Sequence, residues 1–211
     1  MKQLSRRAMP VLIAVLVTAL GCRARSDSPI LEEYFGTPDS AWAAYSDGQA
    51  AHGYADGAFF IETSKPHWFT WVTAPRRYGD TRVQIDVELA SGPSDGHAGI
   101  ICRLQDDGAF YYLAISSDGY YGIFRRVDAG ALEAINSARA MVFAPAIRTG
   151  EGPNRLVAIC DGDQITLMAN GETLETVVDG TYRKGRIGFG AGSGSGGTVR
   201  LRFDDLAIYA Q

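Results

Sequence analysis

Apolar and polar residues alternate at period two along most of this 211-residue chain, and Asp-Gly or Asn-Gly pairs separate the alternating runs. Residues 82–89 are the clearest case: Val83, Ile85, Val87 and Leu89 interleave with Arg82, Gln84, Asp86 and Glu88. That pattern predicts a strand with one face in a core and the other in water. Strands follow at 99–105, 109–116 and 120–127, across turns at Asp106-Asp107-Gly108 and Asp118-Gly119, and these three should form a meander. The second half repeats the device with strands at 155–160, 164–169 and 173–178, joined by Asp161-Gly162-Asp163 and Asn170-Gly171. Such pairs supply the positive φ angles that tight hairpins need. Two more strands, 186–191 and 199–209, flank a Gly/Ser loop at 192–197, and residues 136–152 are the least regular stretch. About a dozen short strands spaced by turns predict an all-β fold, a two-sheet antiparallel jelly-roll-like sandwich.

The N-terminus has a different pattern. Lys2, Arg6 and Arg7 precede an apolar run from residue 9 to 20, which closes on Ala19-Leu20-Gly21-Cys22. The run is short for a bilayer span and has the proportions of an export signal. It resembles a bacterial lipoprotein signal, although Ala19 stands where Leu is usual. The expected organisation is a signal at 1–21, a lipid-bearing Cys22 with a short polar tether at 22–30, and one domain at 31–211. The protein is expected to be exported and held at the cell envelope by its acyl chains, which anchor without spanning. A net charge of -4 provides no basic footprint, so nucleic acid is not an expected partner.

With Cys22 consumed by lipid, Cys102 and Cys160 remain as an even pair in an oxidising compartment. A disulfide between them would close a loop of about 58 residues and stabilise the fold by roughly 4 kcal/mol. Two buried free thiols are the alternative.

An ordered set of residues carries a family likeness. It runs from Tyr34-Phe35, Trp42, Gly53-Tyr54 and Phe60-Ile61 to Gly99-Ile100-Ile101-Cys102-Arg103, Tyr111-Tyr112 and Ser117-Asp118-Gly119-Tyr120. It continues through Asn154-Arg155-Leu156, Asn170-Gly171, Gly185-Arg186-Ile187-Gly188-Phe189 and Phe203-Asp204-Asp205-Leu206. The set resembles concanavalin A-like lectin/glucanase domains, in particular laminin-G-like and family-16-glycosidase-like bacterial modules, over residues 32–211. The resemblance implies a jelly-roll sandwich whose concave sheet binds saccharide, in some members with calcium at its rim. Fold alone does not establish function.

Strand parity nominates a face. If Ile100, Cys102, Leu104, Tyr111, Leu113 and Ile115 point inward, Arg103 and Tyr112 point outward and could join Gln84, Asp86 and Glu88 on one polar sheet surface. Aromatic rings pack on the C–H faces of sugars, and Arg, Gln and carboxylates bond paired hydroxyls. The same side chains also suit a plain solvated sheet face. Trp68 and Trp71, like Tyr120 and Tyr121, must point to opposite sides of a strand.

Catalytic chemistry finds little support. The Glu-x-Asp-x-x-Glu strand motif of family-16 glycosidases is missing from the sequence. Asp86 and Glu88 share a strand side and could approach the separation of about 5 to 5.5 Å that a retaining pair uses. His52, His67 and His97 lack zinc spacing, and Gly192, Gly194 and Gly197 lead into a strand rather than a phosphate-binding helix. No metal site or cofactor is implied by a motif; calcium could at most use Asp106 with Asp107 or Asp161 with Asp163, which also suit hairpin turns. The expectation is a non-catalytic binder of carbohydrate or another envelope ligand. A glycoside hydrolase is the first alternative and a protein-docking envelope lipoprotein the second.

Overall fold

The computed structural model describes residues 28–211 except Ala129 and Glu151. The export signal, Cys22 and most of the tether therefore lie outside the described residues.

Sixteen strands run β1 (Leu31–Glu33), β2 (Tyr45–Ser46), β3 (Ala50–Ala55), β4 (Ala58–Thr63), β5 (Phe69–Tyr78), β6 (Thr81–Ser91), β7 (His97–Leu104) and β8 (Phe110–Ser116). They continue as β9 (Tyr120–Arg126), β10 (Leu132–Ala134), β11 (Val142–Phe143), β12 (Asn154–Asp161), β13 (Gln164–Ala169), β14 (Glu172–Val178), β15 (Gly185–Gly192) and β16 (Val199–Ala210). One 3-10 turn, Ser40–Trp42, is capped by Asp39, whose side chain accepts from the Ala41 amide. The strands form two antiparallel sheets. One has nine strands in the order β14-β13-β12-β6-β16-β4-β3-β2, with β1 beside β16; the other has seven in the order β10-β9-β8-β7-β15-β5, with β11 beside β9.

Period two explains most of this. On β6 the burial alternates as the sequence predicts, with Val83, Ile85 and Val87 in the core and Gln84, Asp86 and Glu88 outside. Both expected meanders, β7-β8-β9 and β12-β13-β14, form. Asn170 and Gly171 take positive φ values of 52° and 88° in the β13–β14 hairpin, the two left-handed residues that such a turn demands. The irregular region holds one two-residue strand, β11.

Between the layers, Phe35, Trp42, Phe59, Phe189 and Phe203 pack ring against ring, with Phe189 and Phe203 centroids 4.7 Å apart and Trp42 5.2 Å from Phe189. Trp42 is thus a core residue. Cys102 on β7 and Cys160 on β12 face each other across this core. Both are buried free thiols, so the expected disulfide is not formed in the structure.

The shared polar face is corrected. Gln84, Asp86 and Glu88 belong to β6 of the nine-stranded sheet, whereas Arg103 and Tyr112 belong to β7 and β8 of the seven-stranded sheet. The two outer faces look in opposite directions. Moreover, Arg103 is 1% exposed and Tyr112 0%, so neither is open to a ligand. Parity fails at Arg103 for a local reason: β7 carries a bulge against β15, where Ile101 pairs Gly188 and Leu104 pairs Arg186. Arg103 sits there at φ 57°. The extra residue breaks the alternation. Its guanidinium turns into the molecule, donating to Gly162 O and Tyr182 O at 2.8 Å each and to Asp80 Oδ1 at 2.9 Å.

Candidate functional site

The outer face of the nine-stranded sheet holds three of the sequence-nominated residues. Asp86 is gripped by Arg155 through two bonds, Nε to Oδ1 at 2.7 Å and Nη2 to Oδ2 at 2.8 Å, and Arg155 also reaches Asp205 at 3.1 Å. Those carboxylates hold the Arg155 guanidinium well above its ordinary pKa. Glu88 accepts from the Gly152 amide at 3.1 Å and lies 3.7 Å from Arg202. Asp204, beside them, is pushed up by burial. A shallow cavity of about 110 Å³ is lined by Asp86, Glu88, Pro153, Arg202, Asp204 and Asp205. Each sequence-nominated acid here is already bonded to a cation or an amide.

The outer face of the seven-stranded sheet is built differently. Three successive registers cross it. In the middle one, Gly122, Ala114, Gly99, Gly190 and Trp71 stand side by side on β9, β8, β7, β15 and β5. On one side lie Ser116, His97, Gly192 and Phe69; on the other lie Phe124, Tyr112, Ile101, Gly188 and Thr73. The middle register is nearly bare of side chains, and the rings beside it lean onto it. A Cβ at Gly99 would come 2.8 Å from the Tyr112 ring, one at Gly190 2.8 Å from the Phe69 ring, and one at Gly122 2.6 Å from the Phe124 ring. Glycine here provides space for aromatic rings to lie against the sheet.

The rings make one continuous layer. Phe69 lies 4.6 Å from Tyr112 and stacks on Trp71 at 5.4 Å; Trp71 meets Phe110 at 5.4 Å, and Tyr112 meets Phe124 at 6.1 Å. Tyr112 and Phe110 are buried beneath, while Phe69, Trp71 and Phe124 are half-buried and present their outer surfaces. The Arg126 guanidinium sits 5.3 Å from the Trp71 ring and 5.6 Å from Phe110, within range of cation–π attraction.

At one end of the face the rings become exposed. Trp68 lies just ahead of β5, so the opposite pointing expected of it and Trp71 on one strand does not apply. It is 41% exposed, with Lys65 Nζ 5.0 Å from its ring, and on the far side Phe143, 57% exposed, meets Tyr120 edge-on at 5.7 Å. Between them His97 stacks near Phe69 at 6.0 Å and shares a 3.0 Å hydrogen bond with the Tyr112 hydroxyl, which donates to Gly190 O at 3.4 Å. Burial holds the His97 imidazole down at about 4, against a smaller upward pull from Asp95. The ring is neutral at pH 7.

Opposite pointing holds for the tyrosine doublet: Tyr121 enters the core and its hydroxyl bonds Glu175 at 3.0 Å, while Tyr120 faces out. Two of the acids considered for calcium, Asp106 and Asp107, are engaged in local structure. Asp106 accepts from Arg77 at 3.1 Å and Asp107 from the Ala109 amide at 3.0 Å. Among the described residues no group of three or more His, Cys, Asp or Glu is placed to hold a metal.

No family model matches the sequence, and no curated protein matches it either. Solved structures do. The carbohydrate binding module CBM66 from Bacillus subtilis superposes with a TM-score of 0.56 at 14% identity, covering 85% of this chain and 95% of that one. A beta-glucanase of Bacillus licheniformis gives 0.60 at 10% identity, over 88% of this chain and all of the other. The catalytic domain of an endo-1,3-beta-glucanase (laminarinase) from Thermotoga petrophila gives 0.61 at 11%, over 89% and 99%. The chain has a concanavalin A-like fold. Within the concanavalin A-like sandwiches, identities this low establish shared architecture, and the chemistry must come from the residues.

The aromatic layer escaped the sequence reading, yet one signal for it was present. Gly188, Gly190 and Gly192 recur at period two and so strip one face of β15, and Phe69 and Trp71 repeat the same spacing on the neighbouring strand.

Proposed function

We propose that this protein is an exported lipoprotein, held to a membrane through Cys22, whose sandwich binds carbohydrate without cleaving it on the outer face of the seven-stranded sheet. The observation that carries this reading is the layer of half-exposed rings, Phe69, Trp71 and Phe124, resting on the Gly122–Ala114–Gly99–Gly190 register. A broad apolar platform with a few polar groups at its margins suits a pyranose or furanose ring, whose C–H face packs on the aromatics while its hydroxyls reach outward. Arg126, His97 and Thr73 supply those margins. No Asp or Glu stands in the three registers, so the paired carboxylates of glycoside hydrolysis have no place on this platform.

The tether fits the same picture. Leu31 pairs Ile208, which pairs Val83 near the start of β6, whereas the exposed rings lie toward the Ser91 end of that strand. At about 3.3 Å per residue the two ends are roughly 26 Å apart. A chain anchored ahead of residue 28 turns Trp68, Tyr120 and Phe143 away from the membrane.

Affinity electrophoresis through gels containing soluble β-glucans, fructans or peptidoglycan fragments tests the binding reading. Retardation by one of them should weaken at least tenfold in Trp71→Ala or Phe69→Ala and persist in Arg155→Ala. No retardation in any gel, or retardation lost in Arg155→Ala and kept in Trp71→Ala, contradicts it. Acylation is read separately, by incorporation of labelled palmitate that Cys22→Ser should abolish.

A further inference from the structure

Cys102 and Cys160 come from different sheets and from hairpins far apart in sequence, yet both side chains enter the same core cluster between the layers and are neighbours there. Both side chains are completely buried. The contact is held from beside it. Arg103, next to Cys102, reaches across to Gly162 O, two residues beyond Cys160, and to Asp80, whose Oδ1 also accepts from the Gly162 amide at 3.0 Å. Cys160 itself pairs with Thr81, the residue after Asp80. The bulge that turns Arg103 inward thus clamps the end of β7 to the β5–β6 and β12–β13 turns, one residue from the sulfur pair.

We propose that Cys102 and Cys160 are a redox clasp: two thiols in the reduced chain that close into a disulfide joining the two sheets when the protein folds in the presence of a disulfide oxidant. The step is thiol–disulfide exchange. One cysteine thiolate attacks a sulfur of the oxidant's disulfide, forming a mixed disulfide and releasing one oxidant thiol. The second cysteine thiolate then attacks the protein sulfur of that bond, the Cys102–Cys160 bond forms, and the second oxidant thiol leaves. Both cysteine protons end on the released thiols, and the two electrons reduce the oxidant. Exchange needs access and a thiolate. The folded, reduced sandwich offers neither, because both sulfurs are sealed in and burial together with the neighbouring thiol pushes Cys160 well up. Closure therefore belongs to the period before the layers meet, when an exported chain meets oxidant. The inference does not depend on what the outer face binds.

The test refolds the full chain, carrying Cys22→Ser so that a third thiol cannot compete, either in a mixture of reduced and oxidised glutathione or in dithiothreitol. Folding with glutathione should remove two hydrogens from the intact mass, leave no thiol for iodoacetamide after denaturation, and join the Cys102 and Cys160 peptides on a non-reducing map. The melting temperature should rise by about 10 °C over the reduced protein. Oxidised glutathione added to the already folded, reduced protein should form the bond at least ten times more slowly. The double variant Cys102→Ala/Cys160→Ala should melt at one temperature in both buffers; if it does not fold, the two buffers compared on the parent chain decide alone. An unchanged mass with both cysteines alkylated, or a bridged protein that melts no higher than the reduced one, overturns the proposal.

Discussion

The two outer faces of this sandwich use the same period-two chain to opposite ends. On the nine-stranded sheet the outward positions of β6, β12 and β16 carry charges that neutralise one another: Asp86 with Arg155, Glu88 with Arg202, Asp205 with Arg155. On the seven-stranded sheet the outward positions carry glycine, alanine and aromatic rings, and no ion pair crosses the three central registers. A face whose charges are already paired has little left to offer a ligand, since displacing a partner costs what a new contact gains. A face of half-covered rings keeps its apolar surface to be buried by whatever arrives. Number of polar groups is therefore a poor guide to a binding surface; what matters is whether they are already satisfied.

Several measurements break or sharpen that contrast. Arg103 belongs to neither face, although its sequence position suggests otherwise. Removing it in Arg103→Ala leaves Gly162 O and Tyr182 O without the donor that satisfies them and takes one of two donors from Asp80, so urea unfolding should show a loss of about 3 to 5 kcal/mol. The protein that remains folded should still bind saccharide as before.

His97 tests the aromatic face by pH. Its folded-state pKa of about 4 lies below the ordinary value of 6.5, so between these pH values the unfolded chain takes up a proton that the folded chain refuses. The contribution to stability is fully present above about pH 6.5 and fades as the pH falls to 4, by about 3 kcal/mol in all. His97→Phe should flatten that part of the stability–pH curve; an unchanged slope would place the titration elsewhere.

Gly99→Ala is the next smaller effect. Its methyl group would come 2.7 Å from Ala114 Cα and 2.8 Å from the Tyr112 ring, so the sheet must spread, at about 2 kcal/mol in chemical denaturation. A larger change in side-chain size at the outward-facing Gln84, replaced by Ala, should cost under about 0.5 kcal/mol. Trp71→Ala should cost saccharide affinity about 1.4 kcal/mol, a factor of ten, in titration calorimetry. On binding the smallest effect belongs to Asp86→Asn, which should leave affinity not measurably changed and stability changed by no more than about 1 kcal/mol, because the pair with a half-exposed Arg155 is solvent-screened. A large loss of binding there would reverse the ranking of the two faces.

How much of this was legible beforehand varies with the range of the interaction. Residues 82–89, the hairpins at Asp118-Gly119 and Asn170-Gly171, and both meanders follow from local rules, because alternation and turn chemistry act within a few residues. Which sheet a strand joins is a long-range matter. Gln84 and Arg103 are close in sequence, but β6 pairs with β12 and β16 while β7 pairs with β8 and β15, and alternation alone does not reveal partners so distant. Arg103 itself fails because parity assumes a regular strand, and its left-handed φ at a bulge is uncommon for a side chain of that size. The Cys102–Cys160 contact needed both sheets in place. The glycine row could have been found: three glycines at alternate positions on β15 announce a strand face cleared for something to lie on it.

The most direct test of the account is a titration of the isotopically labelled protein with a soluble oligosaccharide, followed by amide and aromatic resonances. The account predicts shifts concentrated at Phe69, Trp71, His97, Tyr120 and Phe124, with Gln84, Asp86 and Arg155 undisturbed. Shifts confined to the Asp86–Arg155 face, with the aromatic resonances unmoved, would contradict it.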